Sequence, residues 1–192
     1  MQDQISDILE HSSQVLAKCS EKLPAQLAAA ARIVTASLRC GGTIAFCGNG
    51  GSAAQAQHFA AELVGRFLLD RPAYRAIALT TDTSILTAVG NDYGFAEVFA
   101  RQVEGLLKQN DVLVALSTSG NSENCLRAVA RARQLKVKTI GLAGGDGGKL
   151  KDLTDHCITV PSYDTPQIQE AHLALGHALC QVVEQALMQG DD

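Results

Sequence analysis

The sequence predicts an α/β fold in which a five-stranded parallel sheet is doubly wound, with helices on both faces. Three observations predict it. Short apolar runs alternate with stretches of helical periodicity. The run Val112-Leu113-Val114-Ala115-Leu116 is apolar throughout, as a strand covered on both faces must be. Two of the runs end in loops rich in glycine or serine that open directly into helical stretches, the pattern of strands joined by short crossovers.

Taken in order, Ile5, Ile8, Leu9, Val15 and Leu16 recur at helical spacing and predict an amphipathic helix over 5–23. Pro24 opens a second, Ala-rich helix to about residue 40, stopped by Gly41-Gly42. Two helices before the first strand have no crossover role, so they are expected outside the sheet or against another subunit. A strand over 43–47 leads to a helix over 52–66, and a second strand covers 76–80. A short helix over 83–89 is followed by Gly90-Asn91-Asp92-Tyr93-Gly94, read as a loop dense in turn formers, and helical periodicity returns over 95–108. The third strand ends at Leu116, a helix spans 123–135, and a fourth strand over 139–143 leads to the turn Gly144-Gly145-Asp146-Gly147-Gly148. A fifth strand over 157–160 precedes a last helix over 166–188.

The chain of 192 residues with 46% hydrophobic content is long enough for one well-buried domain, 1–192, with helices over 1–42 and the α/β core with its last helix over 43–192. The net charge of −4 gives no general attraction to nucleic acid or anionic membranes, so any phosphate must be held by local dipoles and hydroxyls. No apolar stretch approaches a membrane span, and Met1-Gln2-Asp3-Gln4 lacks the start of a secretion signal. A cytoplasmic protein is expected. The cysteines at 19, 40, 47, 125, 157 and 180 lack C-x-x-C spacing and read as reduced, mostly buried apolar residues.

The first informative loop is Gly48-Asn49-Gly50-Gly51-Ser52, with three glycines among its first four residues. Glycine removes the Cβ atoms that keep an anion off the backbone, so successive N–H groups can converge on a phosphate at a helix N-terminus. Ser52 is expected to cap that helix. The loop is not a Walker loop, since no Gly-Lys-Ser/Thr follows. As a dinucleotide fingerprint it lacks the acidic residue expected about 20 positions on. A second loop, Ser117-Thr118-Ser119-Gly120-Asn121-Ser122, follows the third strand. In a flavodoxin-like order 2-1-3-4-5, strands one and three are neighbours, and both loops meet at the switch point. Capping and turn formation alone would also account for these serines.

Cys47-Gly-Asn-Gly-Gly-Ser52, His58-Phe-Ala-Ala-Glu62-Leu, Gly65-Arg66, Gly90-Asn-Asp92, Ser117 to Ser122, Asp146-Gly-Gly148 and Ile168-Gln-Glu-x-His172 with His177 occur in this order. In these motifs, along nearly its whole length, the chain resembles the sugar isomerase (SIS) family, and among its members the phosphoheptose isomerases. The resemblance implies that Ser117, Thr118, Ser119 and Ser122 hold a sugar phosphate, with Ser52 and Asn49 near the sugar chain. Gly50, Gly51, Arg66, Asp92 and Gln169 complete the implied substrate site. It implies a homotetramer with shared active sites. It also implies interconversion of sedoheptulose 7-phosphate and D-glycero-D-manno-heptose 7-phosphate through an enediol, the first step of bacterial heptose supply to lipopolysaccharide.

His58 and Glu62 are four residues apart on one helix and so share a face, an arrangement that a plain surface pair would also produce. By resemblance His58, Glu62, Gln169 and His177 match zinc ligands of some members, and Glu62 and His177 match the residues given acid and base roles. Gln169 and His177 are eight residues apart, roughly 12 Å on one straight helix, so their side chains must lean together or come from different subunits. A carboxylate that ligates zinc is also a weaker base. One departure is Gln167, where the family usually has Arg. His172 reads as structural, and His11 and His156 have no partner in view. A second reading is a non-catalytic relative that binds the replication initiator DnaA; in that relative the positions of Glu62 and His177 are not Glu and His.

Overall fold

The computed structural model describes residues 1–189. Helices α1 (Gln2–Lys22) and α2 (Pro24–Arg39) precede β1 (Ile44–Gly48), and α3 (Gly51–Val64) leads to β2 (Ala76–Ala78). Then come α4 (Thr83–Tyr93), a 3-10 turn (Phe95–Glu97), α5 (Ala100–Leu106), β3 (Val112–Leu116) and α6 (Glu123–Gln134). The chain continues through β4 (Lys138–Gly144), α7 (Gly148–Leu153), β5 (His156–Val160) and α8 (Thr165–Met188). All strand pairs are parallel, in the order β2-β1-β3-β4-β5. The doubly wound α/β sheet expected from the sequence is the sheet observed.

Period-two alternation along the strands divides the core into two layers. Ile44, Phe46, Val112, Val114, Ile140 and Ile158 face the layer packed by α1, α2, α3 and α8. Ala45, Cys47, Leu113 and Ala115 face the opposite layer, packed by α4 to α7. β3 is buried at every position, consistent with its central place. Gly48 stands opposite Leu116 at the β1–β3 register, so the loops after these two strands leave the same edge of the sheet side by side.

Four local expectations are corrected. α4 runs through Gly90, Asn91 and Asp92, read from sequence as a loop, because Asp82 caps its start through Ile85 N (2.9 Å) and Gly94, at φ 89°, is what stops it. The stretch 95–108 is accordingly a 3-10 turn and a short helix rather than one continuous helix. α7 lies in what reads as turn and coil; Gly147 starts it in the left-handed region and Leu150 buries its inner face. The N-cap of α3 is Gly50, with no side-chain cap, and Ser52 lies inside the first turn, where it cannot cap.

Candidate active site

α3 and α8 carry the candidate residues His58, Glu62 and His177. They approach closely because Gly176 leaves room for the Phe59 ring, which a Cβ there would overlap. Packing at this point presents His58 and Glu62 from α3 toward His177 from α8. His58 Nε2 lies 3.3 Å from Glu62 Oε1 and 2.7 Å from His177 Nε2. One ligand atom from each of the three residues lies within 4.8 Å of the others. The His177 ring is stacked on Phe67 at 5.7 Å and meets Phe59 edge-on at 6.5 Å, so aromatic contacts fix its plane.

Two imidazole nitrogens at 2.7 Å either share one proton as N–H···N or aim both lone pairs at a cation. With one carboxylate oxygen they form a mixed N/O set of three ligands, which suits a borderline ion such as zinc and leaves a coordination position open. No thiolate competes at this cluster. Cys180, one turn beyond His177, is pushed up to about 12, by burial first and then by the Glu62 carboxylate, and stays a thiol.

The wall of this cluster is built by residues that sequence reasoning missed. Glu184 on α8 accepts from the backbone N–H groups of Phe67 (3.0 Å), Leu68 (2.8 Å) and Leu69 (2.9 Å) and from Arg71 Nε (2.8 Å). Arg71 in turn donates to the carbonyls of Glu62 (2.9 Å) and Leu63 (2.9 Å), closing the C-terminal end of α3. No spacing rule links residues 71 and 184; only the packing of α8 reveals the pair.

At the switch point, α3 and α6 both begin without a side-chain N-cap; within their first turns Ser52 N donates to the Asn49 carbonyl (3.0 Å) and Cys125 N to Asn124 Oδ1 (3.0 Å). Ser117 Oγ donates to Ser122 Oγ (3.0 Å), and Ser119 Oγ accepts from Asn121 N (3.2 Å). Gly120 adopts φ 65°, and a Cβ there would collide with the Gly147 carbonyl, so the serine loop is pressed against the start of α7. A cleft of about 280 Å³ lies beside it, lined by Thr118, Ser119, Asn121, Asp146 and Tyr163 among others. A larger cleft of about 380 Å³, bordered by Arg32, Cys40, Asn110 and Lys138, opens near the amino ends of β3 and β4, away from both loops.

The structure thus gathers His58, Glu62 and His177 in one cluster and brings the glycine and serine loops together. Asn49 is engaged, exchanging two hydrogen bonds with Asn124. Gln169 stands against the glycine loop. Its side chain lies over Gly51, whose Cβ would come within 2.6 Å of Gln169 Nε2, and its carbonyl accepts from Gln55 Nε2 (2.6 Å). Arg66 and Asp92 are exposed, and neither is bonded to the loops or the cluster; Asp92 accepts from Asn91. Gln167, standing where Arg was expected, accepts from Ser162 Oγ (2.8 Å). His172 is fully buried against the Ala143 carbonyl (3.2 Å), and burial lowers it to about 4, so it is neutral and structural as read. His156, without a visible partner in the sequence, meets the Gln26 carbonyl at 2.7 Å.

The SIS domain family model matches residues 8–144. A phosphoheptose isomerase of Rhodospirillum rubrum is 54% identical over 187 residues, covering 97% of this chain and 99% of the relative. Among solved structures, phosphoheptose isomerase GmhA of Neisseria gonorrhoeae superposes with a TM-score of 0.91 at 42% identity, over 96% of this chain and 98% of that one. A phosphoheptose isomerase of Francisella tularensis gives 0.93 at the same identity and coverage. The chain therefore belongs to the SIS domain family, among its phosphoheptose isomerases.

Proposed function

We propose that this protein is an aldose–ketose isomerase that interconverts sedoheptulose 7-phosphate and D-glycero-D-manno-heptose 7-phosphate through an enediol. The observation that carries the reading is the convergence of His58, Glu62 and His177 on the helix that begins at the glycine loop. His58 lies seven residues beyond Gly51, roughly 10 Å along α3. An extended seven-carbon sugar with a terminal phosphate spans that order of distance. The phosphate end would lie on Ser117, Thr118, Ser119 and Ser122 at the N-terminus of α6, with Gly50, Gly51, Ser52 and Gln169 along the chain. Arg66 and Asp92, exposed in one subunit, are proposed to reach a site only across a subunit boundary.

In this reading the Glu62 carboxylate removes a proton from C1 of the ketose. The carbonyl oxygen at C2 gains a proton and the C1 hydroxyl loses one, with the His177 imidazole moving protons between the two oxygens. Return of a proton to C2 completes the aldose. Phe67 and Phe59 hold the His177 plane. The set His58, Glu62 and His177 fits a divalent ion, most simply zinc, which when bound supplies positive charge to polarise the carbonyl.

A homotetramer fits the apolar residues left uncovered on α1, where Ile5, Ile8 and Leu9 are each at least half exposed. A cytoplasmic location accords with this function, and no helix among the described residues is long and apolar enough to cross a membrane. The relatives support the enzyme and not the alternative of a non-catalytic DnaA-binding tetramer. The deciding experiment is incubation of purified protein with sedoheptulose 7-phosphate in deuterated water. Formation of the aldose with deuterium at C2 is expected; recovery of unlabelled, unconverted ketose would sink the proposal.

A further inference from the structure

We infer that Asn124 is a positioning residue that sets the spacing between the glycine and serine loops and so tunes the site for a phosphate dianion. Asn49 Nδ2 donates to Asn124 Oδ1 at 2.9 Å, and Asn124 Nδ2 donates back to Asn49 Oδ1 at 2.8 Å. The two residues come from the loop after β1 and the first turn of α6, so the pair spans the switch point. Asn124 is 3% exposed. Its orientation is fixed independently, because Oδ1 also accepts from Cys125 N at 3.0 Å. That third bond determines which way the Asn124 amide points, and thereby which way Asn49 must point.

The choice of amides has an electrostatic reason. A reciprocal amide pair gives each of its four amide oxygen and nitrogen atoms a partner while adding no net charge. A carboxylate at 124 would turn one of the two bonds into an oxygen–oxygen contact and place a negative charge at the switch point, where it would repel a bound phosphate. An apolar residue would leave the Asn49 amide without its partner and let the glycine loop shift relative to Ser117 and Ser122. Asn124 acts through Asn49, not on the sugar.

This inference rests on the phosphate reading of the two loops. Its test uses inorganic phosphate binding by calorimetry, together with KM, kcat and thermal unfolding, on the full chain. Asn124→Ala is expected to weaken phosphate binding and raise KM by about tenfold, with kcat changed by less than about threefold. Asn124→Asp, which keeps the size and the bond from Cys125 N, is expected to weaken phosphate binding at least as much and stands in if the alanine variant does not fold. In an Asn49→Ala background, Asn124→Ala should add less than about twofold, since the pair acts as one unit. Unchanged phosphate affinity in a folded Asn124 variant, full additivity, or wild-type protein that binds no phosphate overturns the inference. Wild-type protein that binds phosphate but does not convert the sugar rejects the isomerase reading instead, and the phosphate measurements still decide the role of Asn124.

Discussion

Arg71 and Glu184 form an ion pair with side-chain exposure of 0% and 1%, the guanidinium Nε lying 2.8 Å from the carboxylate. Every lone-pair direction of Glu184 is used: Oε1 takes Phe67 N and Arg71 Nε, and Oε2 takes Leu68 N and Leu69 N. Glu184→Gln would turn an amide NH₂ toward donors and leave a buried guanidinium without its counter-charge. A loss of about 3–5 kcal/mol in unfolding free energy is expected, read from the denaturant midpoint. A loss below about 1 kcal/mol would show that the pair is dispensable.

The same pair gives stability a direction with pH. Burial alone would raise the Glu184 carboxyl, but the N–H groups of Leu68, Phe67 and Leu69 and the Arg71 guanidinium outweigh it, and the net shift is downward. A carboxyl held lower in the folded than in the unfolded protein stabilises the fold above its unfolded value of about 4.3. That contribution is lost as pH falls from there through the folded value. Acid titration followed by circular dichroism should show the wild type losing stability below about pH 4 more steeply than Glu184→Gln. Parallel curves for the two proteins would remove Glu184 from the account.

Phosphate recognition makes a separate prediction. The serine loop offers hydroxyls and backbone N–H groups rather than a cation, so its grip depends on the substrate's own negative charge. Sedoheptulose without its phosphate should be a very poor substrate, and Ser119→Ala should weaken binding of the phosphorylated sugar by about 1–3 kcal/mol. Comparable kcat/KM for the two sugars would reject the loop as the phosphate site.

Much of this arrangement is legible in the chain because it is local. Short, continuously apolar runs give the strands, and the glycine and serine loops announce their place at strand ends. The i,i+4 pair His58 and Glu62 needs only a helix. What escapes is non-local or depends on which of two local signals wins. Asn49 with Asn124, and Arg71 with Glu184, are joined by tertiary packing across 75 and 113 residues. Gly90, Asn91 and Asp92 look like a turn, yet the cap at Asp82 and the stop at Gly94 carry the helix through them. The motifs match those of the family, but it is the packing of α3 on α8 that brings His58, Glu62 and His177 together.

The N/O set at His58, Glu62 and His177 carries a prediction of metal binding. Protein purified without chelator is expected to carry close to one divalent ion per subunit, with zinc dominant by elemental analysis. His58→Ala or His177→Ala should lower zinc affinity by at least about tenfold in a competition titration with a chromophoric chelator, without loss of the fold. Full activity in protein shown to be free of metal would confine the ion to a structural role or none.

The last prediction concerns the proton itself. Glu62 faces the cluster with 21% of its side chain exposed, and the backbone at its turn of α3 is held by Arg71. Glu62→Gln keeps the shape while removing the base. General-base catalysis contributes about 10²–10⁴-fold, so turnover should fall by at least that much while thermal unfolding changes little. Metal content must be measured on the same sample, because a neutral amide is also a weaker ligand. A variant that keeps its metal and loses exchange of solvent deuterium into the sugar identifies Glu62 as the base. One that loses both is restored by excess zinc if the ligand role dominates, and stays inactive if proton removal does. Wild-type exchange in Glu62→Gln would pass the role of base to another group, and His177, on the other side of the cluster, is the residue to substitute next.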